Sequence, residues 1–164
     1  MDYQTYLDNI ENKLKAYFDI HRNYSIKGYE YDLFAKYHMR TERYVLVKKA
    51  VIYAMENNEY CLIKHIDHID EHKLNAFTSS LIEAIDELIK LDENHMSSII
   101  TGVLVTDNKP SDDVIKQVKK FKYHKGFAFG FKGWVDIRLV LVTMEDKYIV
   151  TNKKGKEVKK VYSI

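Results

Sequence analysis

A chain of 164 residues, 46% hydrophobic and 30% charged, has the size and make-up of one folded domain with its own core, which excludes extensive disorder. Its one cysteine, Cys61, excludes an intramolecular disulfide and fits a reducing cytoplasm, and no apolar run approaches the ~18 residues that a membrane span needs. The net charge of +2 hides an asymmetry: residues 1–96 hold 12 Lys/Arg against 17 Asp/Glu, and residues 97–164 hold 14 against 7. The second part would draw a polyanion such as nucleic acid, or else it carries solvated lysines.

The first residues are polar and acidic, without the apolar core of a signal peptide. Between residues 2 and 20, Tyr3, Tyr6, Leu7, Ile10, Leu14, Tyr17 and Phe18 recur in steps of three and four. That spacing predicts a helix with one apolar face, followed by a loop at 23–27. Residues 29–37 alternate with the period of a strand, and a polar turn at 39–42 leads to a return strand at 43–47 ending on Lys48 and Lys49. A further strand is expected over 59–66. A helix follows over 71–91, built on Leu74, Phe77, Leu81, Ile85 and Leu88, with Asp70 as N-cap. Residues 99–106 are nearly continuous apolar sequence, as in a strand covered on both faces. Ser111 caps a helix whose inner face is Val114, Ile115, Val118 and Phe121. Strands over 126–131 and 136–144 and a basic hairpin around 153–156 complete the chain. The order predicts a single α/β domain over residues 1–164, a mixed sheet flanked by helices.

Within residues 28–49, Gly28, Glu30, Asp32, Leu33 and Lys48 stand in a helix-plus-hairpin pattern of the form G-x-E-x-D-L, a spacer, then apolar-acid-x-Lys. In these positions and in its element order the chain resembles the restriction-endonuclease-like (PD-(D/E)XK) nuclease superfamily. The resemblance implies a restriction-endonuclease-like core in which Asp32 would hold a divalent cation, Mg²⁺ or Mn²⁺, and Lys48 would orient the attacking water. The residue two before Lys48 is Leu46 where the motif has its second acid. Glu30, on the same strand face as Asp32 and about 7 Å along it, would be the substitute ligand, with Glu42 and Glu11 as other sources. A shifted frame using Lys64 puts Leu62 in the acid's place. Two functions follow: a non-catalytic nuclease-like module binding nucleic acid or a protein partner, and a metal-dependent phosphodiesterase using Asp32, Lys48 and Glu30.

Lys116, Lys119, Lys120, Lys122 and Lys125 would supply phosphate contacts if the ligand is nucleic acid. His65, Asp67, His68, Asp70 and His72 form the densest set of metal donors, of the imidazole and carboxylate types that suit zinc or manganese. A polar strand-to-helix junction with Asp70 as cap accounts for the same residues. The segment KGFAFGF, residues 125–131, resembles the first five positions of the RNA-recognition motif's aromatic signature. Phe127, Phe129 and Phe131 would either stack on bases beside Trp134 or pack under a helix. Nothing in the pattern sets an oligomeric state.

Overall fold

The computed structural model describes residues 1–37, 57–89, 97–127 and 133–164. Asp2 caps the first helix, α1 (Tyr3–Leu14), by accepting the Thr5 N–H at 2.8 Å, and Tyr6, Leu7, Ile10 and Leu14 form its buried face. The helix stops six residues short of the expected 20. From Phe18 the apolar residues switch to every second position, and strand β1 (Phe18–Ile26) begins there, taking in the residues expected to form a loop. Lys27 (φ 48°) and Gly28 (φ 82°) both occupy the left-handed region, as a two-residue hairpin turn requires, and lead into β2 (Tyr29–Tyr37). β2 is therefore paired with β1 on one side and with β3 (Asn57–His65) on the other, both antiparallel. The return strand expected at 43–47 lies outside the described residues.

Asp70 accepts the Lys73 N–H at 2.8 Å and caps α2 (Glu71–Leu88), which crosses to β4 (Ser97–Thr106), parallel to β3. Every position of β4 is buried, as its unbroken apolar run predicts for a central strand. Ser111 caps α3 (Asp112–Lys120) through the Val114 N–H, and β5 (His124–Gly126) and β6 (Trp134–Thr143) follow. β6 runs parallel to β4, while β5 and β7 (Ile149–Thr151) pair antiparallel with the two ends of β6's other edge. Among the described residues the sheet is seven-stranded and mixed, in the order β1-β2-β3-β4-β6-β5 with β7 also on β6. Four α-helices flank it among the described residues, the last being α4 (Lys159–Tyr162). None of these helices is long and apolar enough to cross a membrane.

Where a basic hairpin was expected, the chain instead forms a 3₁₀ turn (Lys154–Val158) that runs into α4. The cause is Asn152. Its backbone N–H still bonds Leu139 O at 3.0 Å, but its side chain occupies the stretch of β6 edge between β5 and β7. There Oδ1 accepts the N–H of Leu139 (2.9 Å) and of Gly155 (2.8 Å), while Nδ2 donates to Ile137 O (3.0 Å) and Phe121 O (3.1 Å). With the edge satisfied by a side chain, no further strand is needed to pair it.

The sheet separates two apolar layers. One holds Tyr31, Phe34, Leu62, Phe77, Leu81, Ile100, Leu104 and Val118 with α2 and α3; the other holds Tyr6, Ile10, Leu33, Cys61, Ile63, Val103, Val140 and Tyr162 with α1 and α4. At Gly102 the helix α2 comes so close to β4 that a Cβ would overlap Leu81 and Phe77. Gly102→Ala should therefore lower unfolding free energy by about 1–3 kcal/mol, since two fully buried side chains must shift to admit the methyl. Urea denaturation followed by circular dichroism measures this, and an unchanged midpoint would show that α2 shifts freely over the sheet.

Candidate functional site

The carboxyl ends of the parallel strands carry a polar cluster, and it begins with a fault in the first hairpin. The β1–β2 register passes from Arg22↔Leu33 to Tyr24↔Tyr31 without an Asn23–Asp32 pair, and Asn23 is left-handed (φ 52°). Tyr31 belongs to the layer under α2 and Leu33 to the layer under α1, although both are odd-numbered positions of one strand. The fault lets Asp32 face α1 alongside Leu33. Its Oδ2 accepts the Tyr3 hydroxyl at 2.7 Å and the His65 backbone N–H at 2.8 Å. Burial, with the bond to Asp32 adding to it, holds the Tyr3 phenol far above its ordinary pKa, so that hydroxyl stays a donor. The Tyr3 ring stacks on the His65 imidazole, with centroids 4.4 Å apart and planes at 19°.

His65 ends β3. Its Nε2 lies 2.8 Å from Asp107 Oδ1 and its Nδ1 3.6 Å from Asp67 Oδ1. The two aspartates follow the adjacent strands β3 and β4, whose ends are tied together. Ile66 N–H bonds Val105 O (2.9 Å), Asp107 N–H bonds Asp67 O (3.1 Å), and the Thr106 hydroxyl donates to the same Asp67 carbonyl (2.8 Å). One donor atom from each of His65, Asp67 and Asp107 lies within 4.8 Å of the others. The outer ends of parallel strands are where α/β sheets generally place ligands.

A second feature gathers positive charge. Lys119 and Lys120 end α3, Lys122 follows, and the 3₁₀ turn brings Lys153 and Lys154 to the same groove, of about 580 Å³. An adjoining groove of about 790 Å³ shares Lys119 and Lys153 and adds Lys156 and Lys159. Lys154 pairs with Glu157 at 3.0 Å; the other six lysines have no acidic partner among the described residues. Trp134, 43% exposed, stands at the start of β6 and walls a third recess that also reaches Lys154.

Residues 2–164 match the family model described as a domain of unknown function, DUF8052. The chain belongs to that family. No curated protein matches it. In this DUF8052 domain both the aspartate–histidine cluster and the lysine grooves fall within the matched span.

Of the residues the sequence singled out, Asp32 is in the cluster. Glu30 is exposed, opposite Ser25 near the β1–β2 turn. Lys48, Leu46 and Glu42 lie outside the described residues, as do Phe129 and Phe131. Glu11 is taken by Arg22, at 2.5 Å, with Asp8 on the same guanidinium at 2.8 Å. Lys64 sits over the Tyr29 ring, 5.9 Å from its centroid, on the sheet face away from Tyr3, and Leu62 is fully buried. From the run HIDHIDEH, His65 and Asp67 come together; His68 and His72 are exposed and Asp70 serves as the helix cap.

Lys119, Lys120 and Lys122 line the grooves, whereas Lys116 is exposed elsewhere on α3 and Lys125 lies over the Phe127 ring. Phe127 packs against the core, and Trp134 is exposed. Sequence reasoning missed Tyr3 as a partner of Asp32 and gave Asp107 no part in a site. Asp107's place just past the end of a buried strand was the available signal. Cys61 is buried, which pushes its thiol up to about 12 and leaves it no nucleophilic part.

Proposed function

We propose that this domain is a nuclease-like module that binds single-stranded nucleic acid in the grooves between α3 and the C-terminal turn. The observation that carries the reading is the convergence of Lys119, Lys120, Lys122, Lys153, Lys154, Lys156 and Lys159 on two adjoining grooves. Ammonium groups spaced along a groove match a phosphodiester backbone, and counter-ion release drives such binding. Trp134 offers an indole face on which a base can stack, which favours single strands over a duplex. The architecture supports the nuclease-like part of the reading. Among the described residues, an opening helix, the antiparallel strands β1, β2 and β3, a crossover helix and a parallel β4 stand in an order compatible with that of the restriction-endonuclease-like core.

Trp134 is the chain's one tryptophan, so its fluorescence reports on the recess that shares Lys154 with the first groove. Titration with a short oligodeoxynucleotide should quench it, with an affinity that falls steeply with salt. Lys119→Glu with Lys153→Glu should weaken binding at least about tenfold and reduce the salt slope by roughly 0.7 for each phosphate no longer neutralised. Binding that ignores salt, or a double variant that binds as tightly as the parent, would overturn the reading and point to a protein partner.

A second reading, a metal-dependent phosphodiesterase using Asp32 and Lys48 with Glu30 as substitute ligand, draws support from one observation. Asp32 stands beside a histidine–aspartate cluster at the carboxyl end of the sheet. Including Mn²⁺ in the same titration and measuring the oligonucleotide's length separates the two, since shortening that Asp32→Asn abolishes belongs only to the enzyme.

A further inference from the structure

We infer that His65, Asp67 and Asp107 form a binding site for one divalent transition-metal ion of the zinc, cobalt and manganese class, at the carboxyl ends of β3 and β4. The inference stands apart from the binding reading. The cluster lies at the opposite end of the parallel strands from Trp134, whose recess is reached by Glu59 and Ile99 near the starts of β3 and β4.

The chemistry of the imidazole carries it. A neutral histidine has one N–H and one lone pair, yet His65 meets a carboxylate oxygen at each ring nitrogen, 2.8 Å from Nε2 and 3.6 Å from Nδ1. Whichever nitrogen bears the proton, the other aims its lone pair at an anion. A second ring proton or a bound cation removes that repulsion, and a metal ion does so while using the lone pair as a ligand. Among the described residues no lysine or arginine pairs with Asp67 or Asp107, so the negative charge there is not otherwise offset by an ion pair. Donors within 4.8 Å of one another need only small rotations to reach the roughly 2.0–2.2 Å bonds such an ion makes.

The surroundings hold this arrangement in place. Stacking on Tyr3 sets the plane of the His65 ring, and Asp32 fixes both that tyrosine and the end of β3, which makes Asp32 a positioning residue here. The backbone bond from Asp107 to Asp67 fixes the spacing of the two ligand loops. Asp67 is 73% exposed, so an ion can arrive from solvent and keep water in its remaining positions. One imidazole with two carboxylates prefers zinc, cobalt or manganese to magnesium or calcium, which take oxygen alone.

The test is calorimetric titration of the whole chain with ZnCl₂, with CoCl₂ absorption as a second readout and no nucleic acid present. One ion per chain is expected, uncompeted by excess MgCl₂. His65→Gln and Asp107→Asn should each weaken it at least tenfold, and His68→Ala with His72→Ala should leave it unchanged. Asp67→Asn, at an exposed position that keeps the fold, must also weaken it. Absence of binding at millimolar zinc, or binding that survives Asp67→Asn or follows His68 and His72, overturns the inference. None of these results bears on the lysine grooves, so the two proposals fail separately.

Discussion

Replacing Arg138 by methionine should destabilise the protein by about 3–5 kcal/mol, as removing one member of a buried ion pair does. The Arg138 side chain is 4% exposed in the middle of β6, under the C-terminal turn. Its Nη1 donates to Glu59 Oε1 at 2.5 Å, and its Nε and Nη2 reach Glu157 Oε2 at 3.0 and 2.7 Å. Glu59 is only 15% exposed, so losing the guanidinium strands a carboxylate with little water around it. The methionine fills the space without supplying charge, which separates the electrostatic loss from a cavity.

A double replacement, Arg138→Met with Glu59→Leu, should recover much of the loss, because an apolar pair of similar volume often equals a buried ion pair. The pH dependence carries a sign. Although burial works against the charge on Glu157, its bonds to Arg138 and Lys154 outweigh that, and its pKa lies below the usual 4.5. Its contribution is thus present above that range and lost as pH falls through it, and Arg138→Met should flatten that part of the profile. Urea midpoints between acid and neutral pH measure both effects. A loss under about 1 kcal/mol would mean that water already solvates Glu59 and the pair is a surface feature.

Asn152→Ala should cost about 3–4 kcal/mol and, under the binding proposed above, weaken oligonucleotide affinity as well. The side chain makes four hydrogen bonds to backbone groups, and alanine leaves the N–H groups of Leu139 and Gly155 without their acceptor. Stranded buried donors cost about 1–3 kcal/mol each. Asn152→Asp should be about as damaging, since it keeps the acceptor but turns an anion toward the carbonyls of Phe121 and Ile137. The residue also starts the turn that carries Lys153, Lys154 and Lys156 to the grooves. Both variants should therefore lose oligonucleotide affinity at temperatures where they remain folded. Tryptophan quenching beside a thermal melt shows this, and full affinity in a destabilised variant would mean that the lysines act without the turn's geometry.

Local chemistry carried the parts of the fold that depend on neighbours in the chain. Asp70 and Ser111 read as helix caps because a short polar side chain before an apolar stripe has a backbone N–H three residues on to bond, and both do so. The run at 99–106 read as a doubly covered strand because only such a position tolerates an unbroken apolar segment, and β4 is buried throughout. The first helix was read too long because Tyr17 and Phe18 fit a helical step from Leu14, while Phe18 also opens the alternation of β1.

What the sequence by itself determined is the class of the fold, the order of most of its elements and the location of its positive charge, since periodicity, caps and composition are properties of short stretches. Tertiary structure alone decided the sites. His65 meets Asp107 across 42 residues because β3 and β4 lie side by side and parallel, and Asp32 reaches that corner only through the left-handed Asn23 opposite it. The lysines of α3 and of the C-terminal turn share grooves because one buried asparagine satisfies a sheet edge that a strand would otherwise have covered. Spacing along the chain carries no trace of such meetings, because they depend on which backbone groups are left to be paired once the sheet has formed.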